Sequence, residues 1–235
     1  MKIRVKFAKQ GVMRFIGHLD IMRYFQKAIR RAHIDIKYTE GLSPHMVMSF
    51  ASPLGVGLTS TGEYFDIEIL TPISSAQAVK QLNEVMAEGM KVLSFRRIEE
   101  GKGTNAMSLV AAADYTVSFR EGYEPDIDWE CRMAEFLARP TIPVLKKTKK
   151  SESETDIRPL IYDLKITDRK IRMKLSSGSA ANLKPELVME AFAAYAGFEL
   201  HPFALAVNRD EVYANIGEEG TLKLVSLESL GEEIE

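Results

Sequence analysis

The chain has 235 residues, of which 46% are hydrophobic and 27% charged, with a formal net charge of −2. This is the composition of an ordinary globular protein, and its single cysteine, Cys131, excludes a disulfide framework or a cysteine-rich metal site. The first residues lack the apolar segment of a secretion signal and no run of 18 apolar residues occurs, so we expect a cytoplasmic protein without membrane contact.

The first hundred residues alternate between strand and helix patterns. Residues 2–7 alternate apolar and basic side chains, which predicts a half-buried strand. Residues 18–32 carry apolar side chains at three- and four-residue steps, which predicts a helix with one apolar and one basic face. Strand patterns follow at 34–38, 46–50 and 64–70, then a helix pattern at 75–88 and a strand from 92. The order over 1–100 predicts a ferredoxin-like βαββαβ half that carries the GHLD and Pro-His motifs.

The same order of elements recurs over residues 106–215, after a linker at 99–105. Strand patterns at 115–119, 142–149, 158–166 and 169–175 accompany helix patterns near 129–137 and at 185–196, and a last strand or hairpin follows. The polar run 148–156 predicts a hairpin tip. We therefore predict an α+β fold of tandem ferredoxin-like halves with antiparallel sheets.

Charge is distributed unevenly along the chain. Residues 1–50 carry ten Lys and Arg against three Asp and Glu, whereas residues 210–235 carry eight acids against one lysine. We expect residues 216–235 to be a solvated acidic tail, either peripheral or disordered.

The basic face of the first long helix is a candidate RNA-binding surface. Its four cations, Arg23, Lys27, Arg30 and Arg31, could contact phosphates, with Tyr24 and Tyr38 near enough to stack on bases. A solvated helix face is an equally good interpretation. Basic residues of the first strand could likewise pair across the sheet, with Arg4 and Lys6 opposite Asp66 and Glu68.

Two histidines suggest a site at the start of that helix. His18 begins the helix and His45 ends the loop EGLSPH, so both could face one cleft. They could act as the general acid and base of a metal-independent ribonuclease, bind a metal with Asp20 or Glu63, or hydrogen-bond a ligand in a preformed cleft. They could instead only brace the local backbone. We predict no metal and no cofactor; the candidate ligand-binding residues are Arg14, His18, Asp20, Arg23, Lys27, Arg30, Arg31, Tyr38, Ser43, His45 and Glu63.

The runs GHLDIMRYFQKAIRRA, EGLSPH, SFASPLGVG and TGEYFDIEI, clustered in the first seventy residues, are together similar to the radical-SAM-linked protein family. That family is a bacterial domain of unknown function, found fused to or encoded beside radical S-adenosylmethionine proteins. The resemblance covers roughly the first two hundred residues and implies a radical SAM protein as partner. No CxxxCxxC motif is present, so the chain is not itself the radical enzyme.

We therefore expect a non-catalytic RNA-binding or substrate-recruiting protein that works with a radical SAM enzyme, in RNA modification or processing. Two alternatives stay open. One is an RNA endonuclease that uses His18 and His45. The other is a pure interaction module that docks a radical SAM protein through its Met46, Met48 and Leu54 loop.

Overall fold

The computed structural model describes residues 1–101, 103–147, 152–218 and 220–235. No helix in these ranges is long and apolar enough to cross a membrane. In chain order the elements are β1 (Lys2–Lys9), a 3₁₀ turn (Gly11–Phe15), α1 (His18–Arg31), β2 (Met48–Phe50), β3 (Thr59–Glu68), α2 (Ser75–Glu84), β4 (Met90–Ile98), α3 (Ala106–Leu109), β5 (Val110–Phe119), α4 (Trp129–Leu137), β6 (Pro143–Lys147), β7 (Glu152–Asp156), a 3₁₀ turn (Arg158–Leu160), β8 (Ile161–Thr167), β9 (Lys170–Ser176), α5 (Pro185–Ala196), β10 (Leu205–Asn215), β11 (Leu224–Ser226), a 3₁₀ turn (Leu227–Leu230) and β12 (Gly231–Glu232).

The chain divides into two compact units, and the first of them is discontinuous in sequence. Residues Met1–Ala112 and Arg209–Glu235 form the first unit, and Ala113–Asn208 form the second. The predicted domains were 1–100, 106–215 and an acidic tail at 216–235. In the division found here the first unit extends to Ala112 and also includes the segment from Arg209 to Glu235.

The first unit is built on a sheet in the order β12-β4-β1-β3-β10, in which β12, β4, β1 and β3 pair antiparallel, and β2 also pairs antiparallel with β3. The strands that alternate with α1 and α2 thus lie in the order β4-β1-β3-β2. Residues 34–38 do not form the predicted strand. They make only isolated bridges, Ile36 to Ile69 and Tyr38 to Met46.

Helices α1 and α2 of the first unit share one hydrophobic core with the sheet. Alternation puts Ile3, Val5 and Phe7 on one face of β1, because successive side chains of a strand point to opposite faces. The Phe7 and Phe25 rings lie 4.7 Å apart, which joins β1 to the apolar face of α1. Other buried members of this core are Ile21, Ile29, Phe65, Ile67, Ala78, Leu82, Val92 and Phe95.

The opposite face of the same sheet carries a buried ion pair. Arg4 and Asp66 are 2% and 3% exposed and lie opposite each other on β1 and β3. The guanidinium donates to both carboxylate oxygens, from Nε to Oδ1 at 2.9 Å and from Nη2 to Oδ2 at 3.0 Å. It also donates to the carbonyls of Thr104 and Leu227, and the Asp66 carboxylate accepts from the Ala106 amide at 2.7 Å. One predicted cross-strand pair is therefore present, and it ties two later segments to the sheet.

The acidic segment after residue 215 packs on this face. Leu227 is fully buried, and β12 adds an edge strand through the pairs Gly231–Ile98 and Glu232–Arg97. Lys6 does not pair with Glu68 as predicted. Its ammonium donates to Glu211 at 2.7 Å and to Glu228 at 2.9 Å. The acids near the end of the chain therefore neutralise basic residues near its start.

In the second unit, β5 lies between β10 and β9, with β8 antiparallel to β9. Helices α4 and α5 contact each other through Phe136 and Phe192, whose rings lie 5.6 Å apart. Strands β6 and β7 pair as a separate hairpin. Of the predicted hairpin tip, residues 148–151 lie outside the described residues, and 152–156 form β7.

Candidate functional site

The basic face of α1 is an open surface. Lys27, Arg30 and Arg31 line one shallow depression together with Tyr24. Neither Lys27 nor Arg30 is in an ion pair with any other described residue, whereas Arg31 donates to the Val85 carbonyl at 3.2 Å. The structure thus brings three of the four predicted phosphate contacts into one patch.

The remaining residues predicted near this patch take other roles. Arg23 forms an exposed ion pair with Asp20, one turn before it, at 3.3 Å. The Tyr24 hydroxyl accepts from the Ala87 amide at 2.7 Å and lies 3.4 Å from the Met86 sulfur, so its position is fixed by the end of α2. Tyr38 is 42% exposed, and it lies beyond the end of the helix, on the bridge to Met46.

His18 occupies the first position of α1 and is half-buried. Its ring meets Phe50 edge-on at 5.3 Å between centroids. Neither ring nitrogen has a hydrogen-bond partner among the described residues. The ring lines a small cavity together with Lys9, Ser52, Leu54 and Glu63, as well as Phe7, Ile21 and Phe50.

His45 lies elsewhere, in the exposed loop that precedes β2. Its Nδ1 is 3.1 Å from the Thr39 hydroxyl, and the Ser43 carbonyl lies 3.5 Å from the same atom. Five residues of largely extended chain separate His45 from Phe50, which is roughly 16 Å at 3.3 Å per residue. His45 is not among the residues that line the cavity with His18 and Phe50, and cleavage that uses both rings stays a prediction.

Arg14 lines neither the depression on α1 nor the cavity beside His18. Its guanidinium stacks on Phe15 at 4.8 Å, and its Nε is buried without a hydrogen-bond partner among the described residues. The docking loop of the interaction-module hypothesis is likewise not as predicted, since Met46 is only 4% exposed and part of the core.

The cavity beside His18 contains a buried polar cluster that the sequence motifs do not reveal. Glu63 and Arg209 form a bidentate ion pair, with Arg209 Nε 2.7 Å from Glu63 Oε1 and both side chains almost fully buried. Arg209 also donates to the Ser52 carbonyl at 2.9 Å. Lys9 is 2% exposed, and its ammonium donates to the Ile16 carbonyl at 3.0 Å. Of these residues, only Glu63 was predicted as a site residue.

Burial lowers the pKa of Lys9. The negative charge of Glu63 partly offsets this decrease, and the positive charge of Arg209 adds to it. A buried lysine in a cleft with a perturbed pKa is a functional-site candidate. One signal for it was present in the sequence: Lys9 continues the alternation of Ile3, Val5 and Phe7 and so occupies the core face of β1. No sequence signal pointed to Arg209, which is 146 residues from Glu63.

Among the described residues, no group of three or more His, Cys, Asp or Glu side chains is placed to hold a metal ion. The polar atoms of the cavity come from an ammonium, an imidazole, a hydroxyl and one carboxylate that an arginine already neutralises. These donors suit an anion better than a cation.

Comparison with known proteins identifies one family, and the structural likenesses include a weak one. The family model described as "Uncharacterized protein conserved in bacteria (DUF2344)" matches residues 2–185. No curated protein matches the chain. Among solved structures, a chain of the "Crystal Structure of a Cbf5-Nop10-Gar1 Complex" aligns at 11% sequence identity with a TM-score of 0.48. That alignment covers 89% of this chain and 48% of the other, so this chain spans about half its length.

Proposed function

The chain belongs to DUF2344, a family of uncharacterized proteins conserved in bacteria, and we propose that it is an RNA-binding or substrate-recruiting protein that works with a radical SAM enzyme in RNA modification or processing. The observation that carries RNA binding is the patch of Lys27, Arg30 and Arg31 on α1, in which two cations have no counter-ion among the described residues. The radical SAM partner is inferred from the sequence motifs of the first seventy residues.

Three cations on one helix face suit a phosphate backbone. Residues 30 and 31 follow residue 27 by three and four positions. The three side chains therefore spread over about one turn of the helix. Arginine also holds phosphate through two parallel hydrogen bonds. Each phosphate that the patch neutralises releases counter-ions, so binding has to weaken as salt rises.

The test is a titration of tRNA and ribosomal RNA fragments by fluorescence anisotropy at several salt concentrations. We expect the triple variant Lys27→Gln, Arg30→Gln and Arg31→Gln to bind more weakly and to reduce the salt slope by roughly two to three, at about 0.7 to 0.9 per phosphate. A matched control removes three exposed cations of the second unit, through Lys165→Gln, Lys170→Gln and Arg172→Gln. Equal losses in the two variants, or no binding at low salt, would contradict the proposal.

The partner is tested separately, by co-purification of the tagged chain with the radical SAM proteins of its own cell. We expect the variant that removes the basic patch to retain the partner while it loses RNA. If no radical SAM protein is recovered with the native chain, the partner assignment is wrong, although RNA binding would stand.

We also infer that both units are ferredoxin-like. The support is the strand order, which is β4-β1-β3-β2 in the first unit and β10-β5-β9-β8 in the second, each with helices after its first and third strands. The β6–β7 hairpin is then an insertion in the second unit.

A further inference from the structure

The cavity at the start of α1 holds more positive than negative charge. Lys9 and Glu63 carry the opposite charges among the described residues that line it, and Arg209, which lies behind the lining, adds a second cation through its ion pair with Glu63. Two charges minus one leave an excess of one positive charge. Arg209 donates to both Glu63 oxygens, whereas Lys9 makes no hydrogen bond or ion pair with Glu63 and feels its charge only at a distance.

Hydrogen-bond donors in this cavity also lack acceptors. The Lys9 ammonium has three N–H groups but donates only to the Ile16 carbonyl among the described residues. The His18 ring nitrogens have no partner among the described residues, and Gly17, the residue before α1, offers no side-chain cap. Burial of an ammonium group is costly unless its donors are satisfied, and the lowered pKa of Lys9 reflects that cost.

The surroundings of the cavity are apolar. Phe15, Leu19 and Val56 are each about 60% exposed, and each lies within three residues of a cavity-lining residue, His18 or Leu54, along the chain. The Gly57 amide donates to the Arg14 carbonyl at 2.8 Å, which holds the loop with Val56 against the 3₁₀ turn with Phe15. Large apolar side chains exposed together mark binding surfaces.

The size of the cavity limits what can enter. Its interior holds about one water-sized group. A nucleobase or a sugar is too large, whereas an oxygen of a terminal carboxylate fits and leaves the rest of the ligand on the rim. A singly charged carboxylate also matches the excess of one positive charge.

We propose that the cavity formed by Lys9, His18 and Ser52 binds the carboxylate of a ligand whose apolar body lies on Phe15, Leu19 and Val56. The Lys9 ammonium and the His18 ring donate to the carboxylate. The ligand is a small organic acid or the C-terminal residue of a polypeptide, since both present this chemistry. The proposal uses different residues from the basic patch and does not depend on RNA binding.

The test is calorimetric titration of the full chain with hexanoate, and with hexanamide as the uncharged analogue. We expect hexanoate to bind and hexanamide to bind at least about tenfold more weakly, because a charge-assisted hydrogen bond is lost. Lys9→Met should abolish the preference for the acid, whereas Lys80→Met, at an exposed position of α2, should not change it. If Lys9→Met fails to fold by circular dichroism, His18→Gln decides and should weaken hexanoate at least about threefold.

Two further ligands identify the source of the carboxylate. A peptide that ends in leucine is compared with its C-terminal amide, and tighter binding of the free acid than of hexanoate assigns the site to a polypeptide end. Weaker binding than hexanoate assigns it to a small acid. Three outcomes would overturn the proposal. The acid and its amide could bind equally, inorganic phosphate could bind more tightly than hexanoate, or neither acid could bind in the millimolar range. In the last case the cavity holds only water.

Discussion

Replacing Asp66 by Asn removes the charge at the centre of a buried network. The carboxylate accepts two hydrogen bonds from Arg4 and one from the Ala106 amide. The single oxygen of an asparagine side chain cannot serve all three donors. Arg4 would then remain buried with its carbonyl contacts to Thr104 and Leu227 but without a counter-charge.

The size of the effect follows from the burial of both partners, which are 2% and 3% exposed. Removal of one member of a buried ion pair typically costs about 3–5 kcal/mol, since the other charge is left uncompensated. Whole domains are stable by only about 5–15 kcal/mol. We therefore expect Asp66→Asn to lower the free energy of unfolding of the first unit by about 3 kcal/mol or more.

The control lies on the same strand. Glu68 pairs with Lys37 at 2.8 Å, but the two side chains are 35% and 48% exposed. An exposed pair contributes about 0–1 kcal/mol, so Glu68→Gln should be nearly neutral.

The assay has to report the first unit, and the only tryptophan, Trp129, lies in the second. Amide hydrogen exchange of peptides from β1, β3 and the segment 224–232 therefore gives the relevant protection. If Asp66→Asn lowers protection no more than Glu68→Gln does, the ion pair does not hold these segments together and the argument from burial is refuted.

Three further predictions concern the cavity and its neighbourhood. Glu63→Gln leaves Arg209 buried without its counter-charge, so urea denaturation should show a loss of about 3–5 kcal/mol, and an unchanged midpoint would contradict this. Gly62→Ala places a methyl group against the backbone of β10, so thermal unfolding should show a loss of about 1–3 kcal/mol, whereas an unchanged Tm would mean that β10 can shift. The folded-state pKa of Lys9 is lowered below its ordinary 10.5 by burial; the charge of Glu63 opposes this shift and the charge of Arg209 adds to it. Between the folded-state pKa and 10.5 the unfolded chain binds more protons at this residue than the folded chain does. The free energy of unfolding should therefore rise with pH over this range. If the same rise is measured in Lys9→Met, it does not come from Lys9.

Local periodicity predicted the elements of the first unit well. The alternation of Ile3, Val5 and Phe7 identified β1 and its buried face, and the three- and four-residue spacing of Phe25 and Ile29 identified α1. These patterns predict the helix and the strand correctly because burial of one face stabilises each element and also selects the apolar residues that form the pattern. The prediction of a strand at 34–38 was wrong. Alternation shows that one face is buried, but it does not show whether a neighbouring strand pairs along the whole segment.

The candidate site was harder to predict because its parts meet only through tertiary structure. His18 and His45 are close in sequence, but the direction of the intervening loop is set by backbone bridges that periodicity cannot show. Arg209 reaches Glu63 across 146 residues. Lys9 was within reach of sequence reasoning, since a lysine in line with three core residues is unusual, but the predicted strand ended at residue 7 and left Lys9 out.

The division of the chain at residues 112 and 209 has a consequence for synthesis. A ribosome releases β1, α1 and their neighbours early, but β10 and β12, which border the same sheet, emerge only after the 96 residues of the second unit. Until then, Arg4 lacks the Leu227 carbonyl and Lys6 lacks both of its acids. Cotranslational folding is therefore expected to complete the second unit first, with the nascent first unit open to chaperones for the longest part of translation.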